Sequence, residues 1–394
     1  MKHFANTKTL VAAACLLAST AFTGVAKADE ALTIGMAFPL SGAAAVWGKG
    51  AVWMCERAAK EIKDAGGVKV KGKVYNFQCL AYDHKSNAAD ATKVAQTLLN
   101  RDHVKYLYVQ GTAPVLASQS LTERQGALLF MQAWGKSAKG PDKPLSFNTL
   151  QTPFEIAPSL VNYVIQTNPN AKTIAFINPN DATGHESASA IVPIWEKAGV
   201  KTLTSDFYER GTTDFQAVAA RLASFKPDIV DLSSLPPSDD GLILKELNIL
   251  GWNGIKVIDN GANVEGIAKT SNLPSVEGAY MAGALLWDAP STTDHQRQLN
   301  KDETAAIGEG LGTPMIGAYD MVYMLKSGLE AAQSLDPKDI AKALPSTKFA
   351  TFYGGMIGYG GMEAYGINVE PKFPVYISQV VNGKLVDKAK IVPE

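Results

Sequence analysis

The histidines are the side chains with the widest capacity for chemistry here, and their spacing argues against a catalytic or metal site. The chain contains His3, His84, His103, His185 and His295. None pairs with another histidine, a cysteine or a carboxylate at the spacing of a zinc site. His84 follows Asp83, and the two residues could form an acid–base pair or lie in a solvated loop. The sequence favours the solvated loop. Serine-elbow and Walker motifs are missing, so we expect no catalytic residue, no metal and no cofactor.

Two tryptophans give a stronger indication of ligand binding. Trp47 follows the loop after the first predicted strand, and Trp134 follows the predicted strand Ala127–Met131. Open α/β sheets bind their ligands at the carboxyl ends of the strands. We therefore expect both rings at a binding site, with packing inside the protein as the alternative for each.

Strands alternate with helices of roughly ten residues or more along most of the chain, which is typical of βαβ units around a parallel sheet. The pattern runs from Leu32 to Met131 and restarts from Phe154 to Ile258. After Val276 the order changes, which predicts that the chain returns to the first lobe and then to the second. We therefore expect a signal peptide and two discontinuous α/β lobes, with these bounds: 1–28 signal peptide; 29–149 plus 279–350 lobe 1; 150–278 plus 351–394 lobe 2.

The first 28 residues have the features of an export signal. Lys2 and Lys8 give a positive start, an apolar stretch runs from Leu10 to Val25, and Ala26-Lys27-Ala28 fits the small-x-small cleavage site. We expect cleavage after Ala28 and a mature protein in the periplasm. A membrane anchor and a lipoprotein modified at Cys15 are the alternatives. The formal net charge of −1 argues against nucleic acid as a partner.

Two cysteines, Cys55 and Cys79, remain after removal of the signal. A disulfide between them is compatible with an oxidising compartment. Two buried free thiols are the alternative, because sequence separation does not show whether the two Cα atoms approach each other.

The chain resembles the branched-chain amino-acid-binding proteins, the leucine/isoleucine/valine type of ABC-transporter receptor. The resemblance covers essentially the whole mature chain, and its marks are Ile34–Gly42, Trp47-Gly48, Gly66-Gly67 and Thr213-Asp214-Phe215. It implies a type I periplasmic binding protein fold, in which two Rossmann-like lobes are joined by three hinge crossings. A small-molecule ligand would be enclosed between the lobes and delivered to an inner-membrane ABC permease.

The same resemblance implies the ligand-binding residues. The first lobe would supply an aromatic ring, a hydroxyl and backbone groups as ligand contacts. In the second lobe, the positions of the family's tyrosines and of its acidic residue are occupied by other residues. Asp259 is a candidate replacement for that acid. The residues implied are Trp47, Thr112, Ala113, Ala133, Trp134, Gly135, Thr183, Leu235 and Asn260.

These observations predict a solute-binding protein whose ligand is an amino acid, a small aromatic or other organic acid, or an amide. Because the ammonium partner of the family is missing, we expect an acid or a neutral molecule rather than leucine, isoleucine or valine. A ligand-sensing partner of a membrane signalling receptor and an amidase-like enzyme on the same fold are the alternatives. The sequence leaves the ligand, its affinity and the oligomeric state open.

Overall fold

The computed structural model describes residues 30–258, 264–282, 285–289 and 292–391. The predicted signal peptide, 1–28, and its cleavage site after Ala28 lie outside these residues. Within the described ranges, every helix is too short or too polar to span a bilayer. The same ranges contain no cluster of three or more histidine, cysteine or acidic side chains suited to a metal ion.

The first lobe begins with strands and helices in regular alternation. Its elements are β1 Glu30–Phe38, α1 Ala45–Asp64, β2 Val68–Val70, β3 Lys73–Asp83, α2 Ala88–Gln96, β4 Tyr106–Gln110, α3 Thr112–Gln125, β5 Leu128–Gln132 and β6 Ser146–Asn148. The second lobe follows with α4 Pro153–Thr167, β7 Thr173–Pro179, α5 Ala182–Lys197, β8 Lys201–Tyr208, α6 Gln216–Ser224, β9 Ile229–Asp231, α7 Pro237–Ile249, β10 Ile255–Ile258, α8 Val264–Thr270, α9 Leu273–Val276 and β11 Tyr280–Ala282.

The C-terminal part returns to the first lobe and ends in the second sheet. Its elements are α10 Asp294–Ile307, α11 Thr313–Ala332, α12 Pro337–Ala343, β12 Phe349–Ala350, β13 Met356–Ile357, β14 Tyr359–Gly360, α13 Met362–Tyr365, β15 Glu370–Pro371, β16 Val375–Val381 and β17 Lys384–Ile391.

Both sheets have the same central strand order, which confirms the predicted α/β class with two Rossmann-like lobes. The first sheet is ordered β2-β3-β1-β4-β5-β6, and the second β17-β16-β11-β10-β9-β7-β8. Strand β1 lies between β3 and β4, strand β7 lies between β8 and β9, and each pairs in parallel with both of its neighbours. The order therefore reverses beside β1 and beside β7, and such switch points are where open sheets bind ligands.

Each sheet is buried on both faces by apolar side chains. In the first lobe, α11 packs Met315 and Leu325 against Phe38 and Tyr108, and Val109 and Leu129 belong to the core on the opposite face. The second lobe likewise has one core around Leu244 and another around Trp195.

The later lobe boundaries differ from the predicted ones. Strand β11 was expected in lobe 1, yet it pairs with β10 and β16 in the second sheet. Phe352, Tyr359 and Val369 were expected in lobe 2, yet their side chains are buried in the first-lobe core. Burial of these apolar side chains holds the segment against the first lobe, so the last crossing comes between β15 and β16.

Cys55 of α1 and Cys79 of β3 form a disulfide, with their Cα atoms 6.3 Å apart. The bond ties the first helix to the neighbouring strand of the first lobe. Of the two alternatives that the sequence leaves open, the structure contains the bridge.

Candidate functional site

A cavity of about 70 Å³ lies between the two lobes. Its size limits the occupant of this closed form to one small molecule. The described residues that line it come from both lobes: Pro39, Ala44, Trp47, His84, Ser86, Gln110, Gly111, Pro114, Gln132, Trp134, Leu150, Asp181, Thr183, Arg210, Ser234 and Pro314.

The lining residues occupy the carboxyl ends of strands in both sheets. Gln110 and Gln132 end β4 and β5, and Arg210 lies two residues beyond β8. The helices that follow β1 and β7 start close to their strands, which brings Trp47 and Thr183 to the cavity. A glycine allows this packing in each lobe: a Cβ on Gly48 or Gly184 would lie 2.0 Å from a proline carbonyl oxygen.

Three of the residues implied by the family resemblance line the cavity. Trp47 and Trp134, both half-buried, contribute from the first lobe, and Thr183 contributes from the second. Their rings and hydroxyl are therefore brought together, as the strand-end argument predicts.

Thr112 does not line the cavity, because its polar groups bond within the protein. Its Oγ1 accepts hydrogen bonds from the backbone N–H groups of Trp134, at 3.1 Å, and Gly135, at 3.0 Å. Its own N–H, at the start of α3, donates to Thr183 Oγ1 of the second lobe at 3.1 Å. A helix N-terminus is a ready site for a carboxylate, but here a threonine hydroxyl from the other lobe accepts from it.

Ala113 and Ala133 also lie outside the cavity lining. The backbone N–H of Ala133 donates to Asn148 Oδ1 at 3.0 Å, and its side chain is fully buried in the first-lobe core. Ala113, on the first turn of α3, is not among the lining residues. The backbone contact with an amino-acid head group that the resemblance implies is therefore absent from the described cavity wall.

Gly135 and Leu235 have structural roles instead. A Cβ on Gly135 would lie 2.2 Å from Glu186 Oε2, so the glycine makes room for a second-lobe carboxylate. Leu235 is fully buried in the second-lobe core, and its neighbour Ser234 lines the cavity. Asn260 and Asp259 lie outside the described residues.

Arg210 is a cavity residue that the sequence analysis missed. Its Nε donates to Asp181 Oδ2 at 2.6 Å, and Asp181 Oδ1 accepts from the N–H of Gly184 at the start of α5. Among the described residues, the terminal guanidinium nitrogens have no hydrogen-bond partner, so they are available to a ligand. The signal that could have found Arg210 was its place directly after a predicted strand, since the same rule selected Trp134.

His84 is buried at the cavity, and the predicted solvated loop is wrong. Its exposed fraction is 1% because it packs under the strand ends. Its Nε2 donates to the carbonyl of Gln110 at 3.0 Å, and its Nδ1 accepts from the N–H of Ser86 at 3.0 Å. Burial lowers the pKa of His84 to about 4, and the positive charge of Arg210 also lowers it. The ring is therefore neutral at physiological pH, with both nitrogens engaged.

Direct contacts join the lobes around the cavity. Ser137 of the first lobe donates from its N–H to Glu186 Oε2 at 2.9 Å, and its hydroxyl donates to Glu186 Oε1. At another point of the cleft, Lys269 of α8 pairs with Glu309 at 3.2 Å. The lobes are therefore closed on each other in this structure.

Comparisons with known proteins agree with this architecture. The family model described as "Periplasmic binding protein" matches residues 31–384. The Leu/Ile/Val-binding protein BraC3 of Rhizobium johnstonii is 28% identical over 362 residues, which cover 90% of this chain and 93% of that protein.

Two solved structures have the same fold. A leucine-binding protein from Thermotoga maritima superposes with a TM-score of 0.77 at 17% identity, covering 92% of this chain and 99% of that one. An ABC-transporter solute-binding protein from R. palustris, in complex with benzoate, gives a TM-score of 0.75 at 17% identity, covering 92% and 97%.

Proposed function

The chain belongs to the periplasmic binding protein family, and we propose that it captures a small aromatic carboxylic acid between its lobes and delivers it to an ABC importer of the inner membrane. The observation that carries this proposal is the cavity at the strand ends of both lobes, lined by two tryptophans and by Arg210. Its relatives include a protein named for Leu/Ile/Val binding and a structural neighbour that contains benzoate. The polar groups of the cavity decide between these two classes of ligand.

An amino acid needs one recognition for its carboxylate and another for its ammonium group. The Thr112 hydroxyl and N–H are engaged within the protein. Asp181, the one carboxylate among the described lining residues, already accepts from Arg210. A buried ammonium group without a carboxylate partner is strongly unfavourable, so the described wall does not favour leucine.

An aromatic acid suits the same wall. The terminal N–H groups of Arg210 can bind a carboxylate through charge-assisted, bidentate hydrogen bonds. Trp47 and Trp134 supply flat apolar surface for a ring, and aromatic pairs contribute about 0.5–1.5 kcal/mol beyond the burial of area. We therefore propose Trp47, Trp134, Thr183 and Arg210 as ligand contacts.

Calorimetry with benzoate, substituted benzoates, leucine and valine tests the proposal. We expect micromolar or tighter binding of at least one aromatic acid and none of leucine or valine. Arg210→Gln should weaken binding of the aromatic acid by roughly 10–100-fold, because a hydrogen bond to a charged group contributes about 1.5–3 kcal/mol. Tight leucine binding without binding of any acid would contradict the proposed ligand class.

Arg210→Gln could weaken binding either by removing a ligand contact or by leaving the Asp181 carboxylate without its partner. A double variant distinguishes these two explanations. Arg210→Gln with Asp181→Asn removes both charges, and asparagine still caps the start of α5. If Arg210 binds the ligand, the double variant stays weak. If the single variant is weak only because Asp181 loses its partner, the double variant recovers wild-type affinity, which would contradict the role given to Arg210.

We also propose that the protein binds without turnover. Both ring nitrogens of His84 are engaged, and the Ser234 hydroxyl donates to Asn178 Oδ1 at 2.7 Å. No described lining residue is thus arranged as a nucleophile with a base. The same calorimetry detects turnover as heat that continues after binding is complete.

Export through residues 1–28, with cleavage after Ala28 and release into the periplasm, is part of the proposal. The basic start and the Ala26-Lys27-Ala28 site support it, and so does membership of a family described as periplasmic. N-terminal sequencing of the exported protein should begin at Asp29.

A further inference from the structure

Two glutamines lie on the first-lobe wall of the cavity with their side chains buried. Gln110 ends β4 with 7% of its surface exposed, and Gln132 ends β5 with 1% exposed. Both line the cavity. Their amide groups therefore face the ligand space with almost no access to bulk water.

The orientation of the Gln132 amide is fixed by its neighbours. Its Nε2 donates to the carbonyl of Pro314 at 2.6 Å and to the hydroxyl of Tyr108. A carbonyl can only accept, so the nitrogen must occupy that position. The Oε1 atom of Gln132 consequently lies on the other side, where no atom of the described residues donates to it.

The Gln110 amide is held less tightly. Its backbone carbonyl accepts from His84 Nε2, but none of the described residues forms a hydrogen bond with its side chain, and Oε1 is buried without a donor. Two buried acceptors without a donor, one from each of two adjacent strands, therefore belong to residues that line the same small cavity. Buried acceptors are normally satisfied in folded proteins, and a ligand donor would satisfy these.

We propose that Gln110 and Gln132 determine specificity by accepting hydrogen bonds from a neutral O–H or N–H group of the ligand. The inference rests on the proposed function and narrows it to an aromatic acid that carries a hydrogen-bond donor on its ring. The acid binds Arg210 on the second lobe, and the donor binds the glutamines on the first lobe. A site built to bond a hydroxyl discriminates strongly against the analogue that lacks it, because its acceptors are then left unpaired.

The donor is expected to be neutral because a buried charged donor needs a carboxylate partner, and the glutamine oxygens carry no formal charge. The Asp181 carboxylate on the opposite wall is paired with Arg210. An ammonium group at the glutamines would therefore lack a carboxylate partner among the described lining residues.

Calorimetry with a matched series of acids tests the inference. The series contains benzoate, the three hydroxybenzoate isomers and the three methoxybenzoates, which keep the oxygen and lose its proton. We expect one hydroxybenzoate to bind about tenfold or more tightly than benzoate and than its methoxy counterpart, as loss of one well-formed hydrogen bond predicts.

Variants of the two glutamines test which side chains accept the hydrogen bond from the ligand's donor group. Gln110→Leu should reduce the preference for the hydroxylated acid over benzoate to within about twofold, and this ratio of affinities is the quantity measured. Gln132→Met should reduce the same preference. This variant also loses the hydrogen bonds to Pro314 and Tyr108, so its melting temperature must be measured as a check on folding. Gln110→Leu breaks no side-chain bond among the described residues, so it tests the inference even if the Gln132 variant fails to fold. Gln125→Leu, at the exposed end of α3, is the control and should keep the wild-type preference.

The outcomes separate the inference from the proposed function. Equal affinity for benzoate and every hydroxybenzoate, or a preference that survives Gln110→Leu, would overturn the inference and leave aromatic-acid capture standing. Absence of binding for every acid would overturn the proposed function, and the inference with it.

Discussion

Glu303 is a buried acid in the first lobe that has no role in the cavity. Its side chain is fully buried on α10, and neither carboxyl oxygen accepts or donates a hydrogen bond within the described part of the chain. Burial raises the pKa of Glu303 to about 8, the negative charge of Glu309 raises it further, and Lys269 of the second lobe opposes the shift. The folded protein therefore holds Glu303 in its neutral form at pH values where the unfolded chain ionises it.

This pKa shift predicts that stability decreases as the pH rises. The unfolded side chain loses its proton near pH 4.5 and the folded one near pH 8, so between these values the folded state binds more protons. Glu303→Gln cannot ionise and should unfold with about 1–3 kcal/mol more free energy than the wild type at pH 8, with the difference vanishing near pH 4.5. Urea unfolding across this range measures it.

A matched control for this prediction is Glu196→Gln, at an exposed position of α5. Its unfolding free energy should follow the wild type at every pH. Asp320 and Glu370 are also buried acids with raised pKa values, so the informative quantity is the difference between the Glu303 variant and the wild type. A difference that is constant from pH 4.5 to pH 8 would show that Glu303 does not titrate as argued.

The cavity residues that could be predicted from the sequence are those in or just after the segment that follows a strand. Trp134 lies two residues after β5, and Trp47 lies on the first turn of the helix that follows β1. Thr112 satisfied the family pattern, yet its contacts with Thr183 and with two backbone N–H groups depend on how the lobes meet. Arg210 and Gln132 belong to different lobes, and no pattern within one strand shows that both face one cavity.

At the scale of elements, the alternation of strands and helices predicted the two sheets because βαβ units bury continuous apolar strands.

The residue at which a helix begins was less predictable. Thr213 has capping-box spacing, but α6 begins after Phe215, whose ring is buried in the second-lobe core, and Asp214 Oδ1 accepts from the N–H of Gln216 at 3.0 Å. The helix therefore begins at a buried aromatic residue and an aspartate bond rather than at a Thr213 cap.

The crossings between the lobes are held together by buried polar contacts. The side chain of Lys139 is buried in an ion pair with Glu370, and it lies 4.6 Å from the ring centroid of Tyr365. Asn148 donates to the other oxygen of Glu370 at 3.0 Å. Burial raises the pKa of Glu370 to about 7, and the charge of Lys139 opposes that shift. Because residues from the ends of two crossing segments share one network, the hinge has a defined geometry that no single segment could specify.

At the scale of the whole molecule, the direct contacts between the lobes include the part-buried bond from Thr112 N–H to Thr183 Oγ1 and several contacts nearer the surface. The bonds from Ser137 to Glu186 are solvent-exposed, and the Lys269–Glu309 pair is partly exposed. Exposed hydrogen bonds and ion pairs contribute only about 0–1 kcal/mol each. The exposed contacts therefore add little to the free energy of closure, and a ligand that contacts both lobes can shift the population to the closed form.

The last prediction concerns this balance. Ser137→Ala with Glu186→Ala removes the exposed contact across the cleft and leaves every described cavity residue in place. If closure loses about 1 kcal/mol, the apparent Kd should rise by up to about fivefold. Small-angle scattering should give a larger radius of gyration for the ligand-free variant than for the ligand-free wild type, and equal values once both are saturated, because the ligand still bridges the lobes. Glu196→Ala, exposed on the same helix as Glu186, should match the wild type in both measurements. Identical scattering of variant and wild type without ligand, together with unchanged affinity, would mean that the Ser137–Glu186 contact does not govern closure.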